Sequence, residues 1–142
     1  MLRDFAVGTP IQGGSALAQE APRSVFVRFW LPVVAYVGLI FTLSAQPGLQ
    51  PPMHFQYADK VAHICEYGVL GFLLARALRT VPRLRGALLA CVVAVAIGAG
   101  IGSADELFQS TVPGRDSSVF DLIADIIGLS LAQLAYLWAQ RP

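Results

Sequence analysis

Along the 142-residue chain the charged positions thin out four times, each time for about 18–21 residues. Val25–Ser44 is interrupted only by Arg28. Val61–Leu78 carries His63, Glu66 and Arg76, and Leu84–Ala104 has one charge, Arg85, at its start. Val119–Trp138 has Asp121 and Asp125 near its beginning. A helix rises about 1.5 Å per residue, so each run is long enough for a hydrocarbon layer of about 30 Å. Helices of a soluble bundle would show a charged outer face, and "LRGALLACVVAVAIGAGIGSA" has none. The pattern predicts an all-α integral membrane four-helix bundle, with spans near residues 25–44, 59–78, 84–106 and 118–139. Ahead of it, residues 1–24 have no sustained apolar core. "TPIQGGSALAQEAPR" reads as a flexible polar tail, and no signal peptide is expected. One membrane domain, residues 25–142, follows.

Composition agrees: 56% of residues are hydrophobic and 13% charged, with a mean hydropathy of +0.62. A net charge of +1 leaves no basic face for nucleic acid, so no nucleic-acid partner is expected. Cys65 and Cys91 sit inside apolar runs and read as small buried hydrophobes rather than a disulfide. The basic residues divide sharply. Four spans put Arg3, Arg23, Arg28, Arg76, Arg79, Arg83, Arg85 and Arg141 on one side, and leave Lys60 and Arg115 on the other. Basic loops stay in the cytoplasm, so both termini are expected there, with Trp30 and Trp138 at the same interface.

Of the nine acids only Asp4 and Glu20 fall on the basic side. Asp59, Glu66, Asp105, Glu106, Asp116, Asp121 and Asp125 gather at the opposite end. Asp59, His63 and Glu66 or Tyr67 form one helical stripe. Ala94, Gly98, Gly102, Glu106 and Gln109 share a face on the third helix, and Asp121, Asp125, Gly128 and Ala132 on the fourth. Small residues let helices approach closely in lipid, so these seams should draw the polar ends together. A buried acid costs about 2.5–3.5 kcal/mol on insertion scales, which makes the cluster a functional-site candidate.

The stretches "ADKVAHICEYGVLGFLL" and "ADELFQSTVPGRDSSVFDLIADIIG", with the four-span layout, resemble the VanZ-like family of small bacterial membrane proteins over about residues 29–138. Asp59, Lys60, His63, Tyr67, Gly71, Asp105, Glu106, Gln109, Pro113, Gly114, Arg115, Asp121 and Gly128 match the family pattern. Asp125 departs from it, for the pattern has Asn there. The resemblance implies a multi-pass protein of the bacterial inner membrane with a role at the cell envelope. The family's namesake is associated with low-level resistance to teicoplanin.

Three mechanisms fit these residues. The first is an outward-facing site that binds an amphiphile or lipid head group, drawing on Asp59, Lys60, Tyr67, Gln109, Arg115, Asp121 and Asp125. Arg115 is then a clamp for an anionic group. The second is an enzyme acting on an envelope lipid, with His63, Glu66, Asp105 and Glu106 as its acid–base candidates. A divalent cation held by Glu66, Asp105, Glu106 and Asp121 would offset the excess of negative charge. The third is a proton-linked transporter, for which four spans and an apolar cytoplasmic half are poorly suited. Ser117 or Ser118 suits the N-cap of the fourth helix.

Overall fold

The computed structural model describes residues 22–49, 55–84, 86–115 and 117–140. Most of the expected tail, with Arg3, Asp4 and Glu20, lies outside these residues, as do Arg85, Asp116 and Arg141. Among the described residues, four helices are long and apolar enough to cross a membrane: α1 (Arg23–Ser44), α2 (Ala58–Leu78), α3 (Ala87–Gln109) and α4 (Val119–Ala139). No strand occurs among the described residues.

Local chemistry sets the helix boundaries. In α1, Pro32 has no N–H to offer Arg28, and the turn before it relaxes into a π-helical stretch, Phe26–Trp30, where the Leu31 N–H donates to the Phe26 carbonyl. The third helix is displaced about three residues toward the C-terminus from its expected span. A 3₁₀ turn at Pro82–Leu84 and an extended Gly86 (ψ 122) delay its start. Its end is carried past the apolar run because Gln109 donates to Asp105 Oδ2 one turn below, at 2.9 Å. Ser118 caps α4 as expected, its Oγ accepting the Phe120 N–H at 3.1 Å.

The tightest packing is between α2 and α4. They cross at Gly68 and Gly71 on one side and Gly128 and Ala132 on the other. A methyl group on Gly128 would lie 3.0 Å from the Gly68 nitrogen and the Ile64 carbonyl carbon, so only glycine admits this approach. Leu129 projects from the crossing into the space left by Gly98 of α3. Around it Ile40, Tyr67, Leu70, Leu74 and Ala94 complete the core. The outward faces of all four helices are apolar, as lipid requires. Cys91 is buried in this packing, but Cys65 is on the exposed face, which corrects the expectation that both are inside. In lipid an apolar side chain gains nothing by turning inward, so hydrophobicity alone does not place it.

Charge separates along the bundle. Arg23, Arg28, Arg76, Arg79 and Arg83 cluster where α1 begins and α2 ends, and there Trp30 Nε1 donates to Thr80 Oγ1 at 3.3 Å. The acids collect at the other end, beneath the α1–α2 and α3–α4 loops. These loops touch at two glycines with left-handed backbone, Gly48 (φ 63) and Gly114 (φ 77).

Candidate functional site

At the acidic end one stripe of α2 faces α4. It runs Lys60, His63, Ile64, Tyr67 and Gly71, positions three or four apart that coincide on a helix. Lys60 bridges Asp59 (2.8 Å) and the nearly buried Asp121. His63 Nδ1 lies 2.8 Å from Asp125 Oδ1, and its Nε2 is 3.9 Å from Asp121 Oδ1. The His63 ring stacks parallel to Tyr67 at 6.5 Å between centroids. Asp125 is 0% exposed, and its Oδ2 nests against Gly102 of α3, where a methyl group would be 2.8 Å from it and 3.3 Å from the Tyr67 ring.

α3 contributes two adjacent acids that point differently. Asp105 faces inward and accepts from Gln109, whose amide also donates to Ser44 Oγ of α1 at 3.1 Å. Glu106 turns toward α4, where its Oε2 accepts the Ser118 N–H at 2.9 Å. Ligand atoms of His63, Glu106 and Asp125 all lie within 4.8 Å of one another. Five buried polar atoms in this region have no hydrogen-bond partner among the described residues: Tyr67 OH, Asp105 Oδ1, Glu106 Oε1, Asp125 Oδ2 and Arg115 Nε. Buried polar atoms are seldom left without a partner, so each of these calls for a water, an ion or a ligand to meet it.

The structure thus brings together His63, Tyr67, Glu106, Asp121 and Asp125, joins Lys60 to them, and sets Asp105 and Gln109 beside them. Three residues stand apart. Asp59 is at the rim, its side chain 53% exposed. Half-buried Glu66 is within electrostatic reach of His63 and Asp125, and its backbone carbonyl accepts from Tyr36 at 3.2 Å. Arg115 donates from Nη1 to the Leu49 carbonyl at 2.9 Å and pairs with no carboxylate among the described residues. It straps the two loops together. Of the four acids expected to share a cation, only Glu106 belongs to the three-residue cluster. Asp105 is engaged by Gln109 and Asp121 by Lys60.

Sequence reasoning missed Ser44, Tyr36 and Gln133. Gln133 donates to the Gly71 carbonyl at 2.8 Å and helps fix the crossing. A lone polar residue in an apolar run was the available signal in each case.

Beside the acids a shallow cleft of about 300 Å³ opens between the end of α3 and the start of α4. Ser103, Ser110, Ser117 and Ser118 line it with hydroxyls; Leu107, Val119 and Leu122 supply apolar wall, and Glu106 separates it from the buried cluster.

Four apolar helices closed over a polar end define a multi-pass membrane protein. A sequence model of the VanZ/LLP1 family matches residues 24–140, and the chain belongs to that family. No curated protein and no solved structure matches it.

Proposed function

We propose that this VanZ/LLP1 protein acts at the cell envelope of a bacterial inner membrane, with both termini cytoplasmic and the acidic end facing outward. There it binds the polar end of an amphiphile or membrane lipid. The site comprises the cleft together with Glu106, His63, Asp121, Asp125 and their neighbours. The observation that carries this reading is the cleft's hydrogen-bonding sense. Ser103 Oγ donates to the Ala99 carbonyl at 2.9 Å, and Ser110 Oγ to the Leu107 carbonyl at 2.7 Å. Their protons are spent within the helix, so both hydroxyls present lone pairs to the cleft. These two acceptors favour a head group that carries donors, an amine or a hydroxyl, while Leu107 and Val119, 72% and 74% exposed, accompany the acyl chain.

The test compares phosphatidylethanolamine with phosphatidylcholine, which carry three N–H donors and three methyl groups on nitrogen, respectively. Native mass spectrometry of the purified chain should show the ethanolamine lipid retained about tenfold better, a difference of about 1.4 kcal/mol, near that of one charge-assisted hydrogen bond. Ser110→Leu, which fills the cleft, should abolish the difference. Equal retention of the two lipids would refute the reading.

A further inference from the structure

Behind the cleft, three helices each offer one ligand to a common point: His63 from α2, Glu106 from α3 and Asp125 from α4. Donor atoms around a single zinc-like ion stand roughly 3.3 Å apart, given bonds of about 2.0–2.2 Å. His63 Nδ1 and Asp125 Oδ1 are hydrogen-bonded at 2.8 Å, a contact the ion would replace, and one ligand atom from each of the three residues lies within 4.8 Å of the others.

A cluster of acids would not by itself mark a metal site. The independent observation is Asp125 Oδ2, an oxygen of a fully buried carboxylate with no hydrogen-bond partner, held in a hollow that only the absent side chain of Gly102 leaves open. Glu106 Oε1 is likewise sealed and unpartnered. Buried carboxylates are expensive unless a cation meets them. Lys60 lies with Asp59 and Asp121, and Arg115 with Leu49, so of the described basic side chains at this end only His63 reaches Asp125, through the other carboxylate oxygen, and neither Lys60 nor Arg115 bonds to Glu106.

We infer that His63, Glu106 and Asp125 bind one divalent transition-metal ion of the zinc class. One imidazole and two carboxylates form a mixed nitrogen–oxygen set that suits zinc, whereas magnesium and calcium prefer oxygen alone. The ion takes the Nδ1 lone pair, with the ring proton on Nε2. Nε2 points at Asp121 Oδ1, 3.9 Å away, and Lys60 holds Asp121 in place. A metal-bound histidine usually donates its second nitrogen to a carboxylate, and Asp121 is the carboxylate that faces Nε2, although at 3.9 Å the two are not hydrogen-bonded here. Three protein ligands leave a coordination position open.

The inference does not depend on the head-group reading, because its probe is zinc alone. The full chain, purified in detergent and stripped with a chelator, is dialysed against zinc chloride, and bound metal is counted. One zinc per chain is expected, undisturbed by excess magnesium or calcium. His63→Gln, Glu106→Gln and Asp125→Asn should each weaken binding at least about 100-fold, beyond the loss typical of outer-shell partners. Arg79→Ala, at the opposite end of the bundle, should leave it unchanged. Zinc-edge absorption of the wild type should show one imidazole, oxygen ligands and no sulfur, and it decides the matter if the variants fail to fold. Absence of stoichiometric zinc, retention of tight binding by the three variants, or a sulfur-bound spectrum would overturn the proposal.

Discussion

At the basic end of the bundle, arginines lie across aromatic faces. Arg28 and Arg76 sit over Phe29 at 5.4 and 5.5 Å, and Arg79 over Tyr136 at 5.8 Å. None of the described arginines there is buried, and each can reach the membrane interface. The acidic end does the opposite. Asp105, Asp121 and Asp125 are at most 4% exposed, and three helices converge on them. Long basic side chains escape the bilayer by snorkelling; a short carboxylate cannot. An acid placed one or two turns inside must be met there, by a partner, a proton or an ion. On the reading proposed above, the basic end serves orientation and the acidic end is the site.

The largest disruption should come from the crossing that holds the acids together. Gly128→Val forces a branched side chain into the Gly68 and Ile64 backbone and should cost about 3 kcal/mol or more. The bundle would then melt well below wild type in detergent, measured by circular dichroism. Next is Lys60→Met, which strips Asp121 of its cation. Removing one partner of a buried pair costs about 3–5 kcal/mol; Lys60, 24% exposed, should fall at or below the low end. Adding Asp121→Asn should recover most of the loss. A double mutant no more stable than the single one would show that Lys60 acts through something other than Asp121. Gln109→Leu leaves Asp105 and Ser44 without their shared donor and should cost about 1–3 kcal/mol.

How far the sequence reached follows the same contrast. The spans were legible because hydrophobic length is a property of consecutive residues. Gly128 and Ala132 were legible as a small-residue seam, and Ser118 as a cap. Which of two neighbouring polar residues turns inward was not. Asp105 and Glu106 are about 100° apart on a helix, and the expected stripe through Glu106 put the wrong one of them on the buried face. In the same way Lys60, rather than Asp59, meets Asp121. A rotation of one residue decides such cases, and it is set by where the glycines of α2, α3 and α4 lock against their neighbours. Arg115 was expected beside the acids on the strength of its place in the turn, but the touching loops at Gly48 and Gly114 carry it to the Leu49 carbonyl.

The smallest effect should be at the basic end. Arg79→Ala removes one cation–π contact at an exposed site, worth about 0.5–1 kcal/mol, and should leave zinc and lipid binding unchanged. A large loss of stability there would mean that the basic end is also structural, and the contrast between the ends would narrow.

Asp125→Asn tests the central claim most directly. If the acidic end is kept for a ligand rather than for the fold, neutralising its most buried acid relieves a cost the protein otherwise bears. The measurement is the melting temperature of wild type and Asp125→Asn, each without metal and with zinc. Without metal the variant should melt at or above wild type, and zinc should raise the wild-type value while leaving the variant where it was. A metal-free variant that melts clearly lower than wild type, with the zinc response intact, would show that Asp125 is part of the scaffold and would contradict the account.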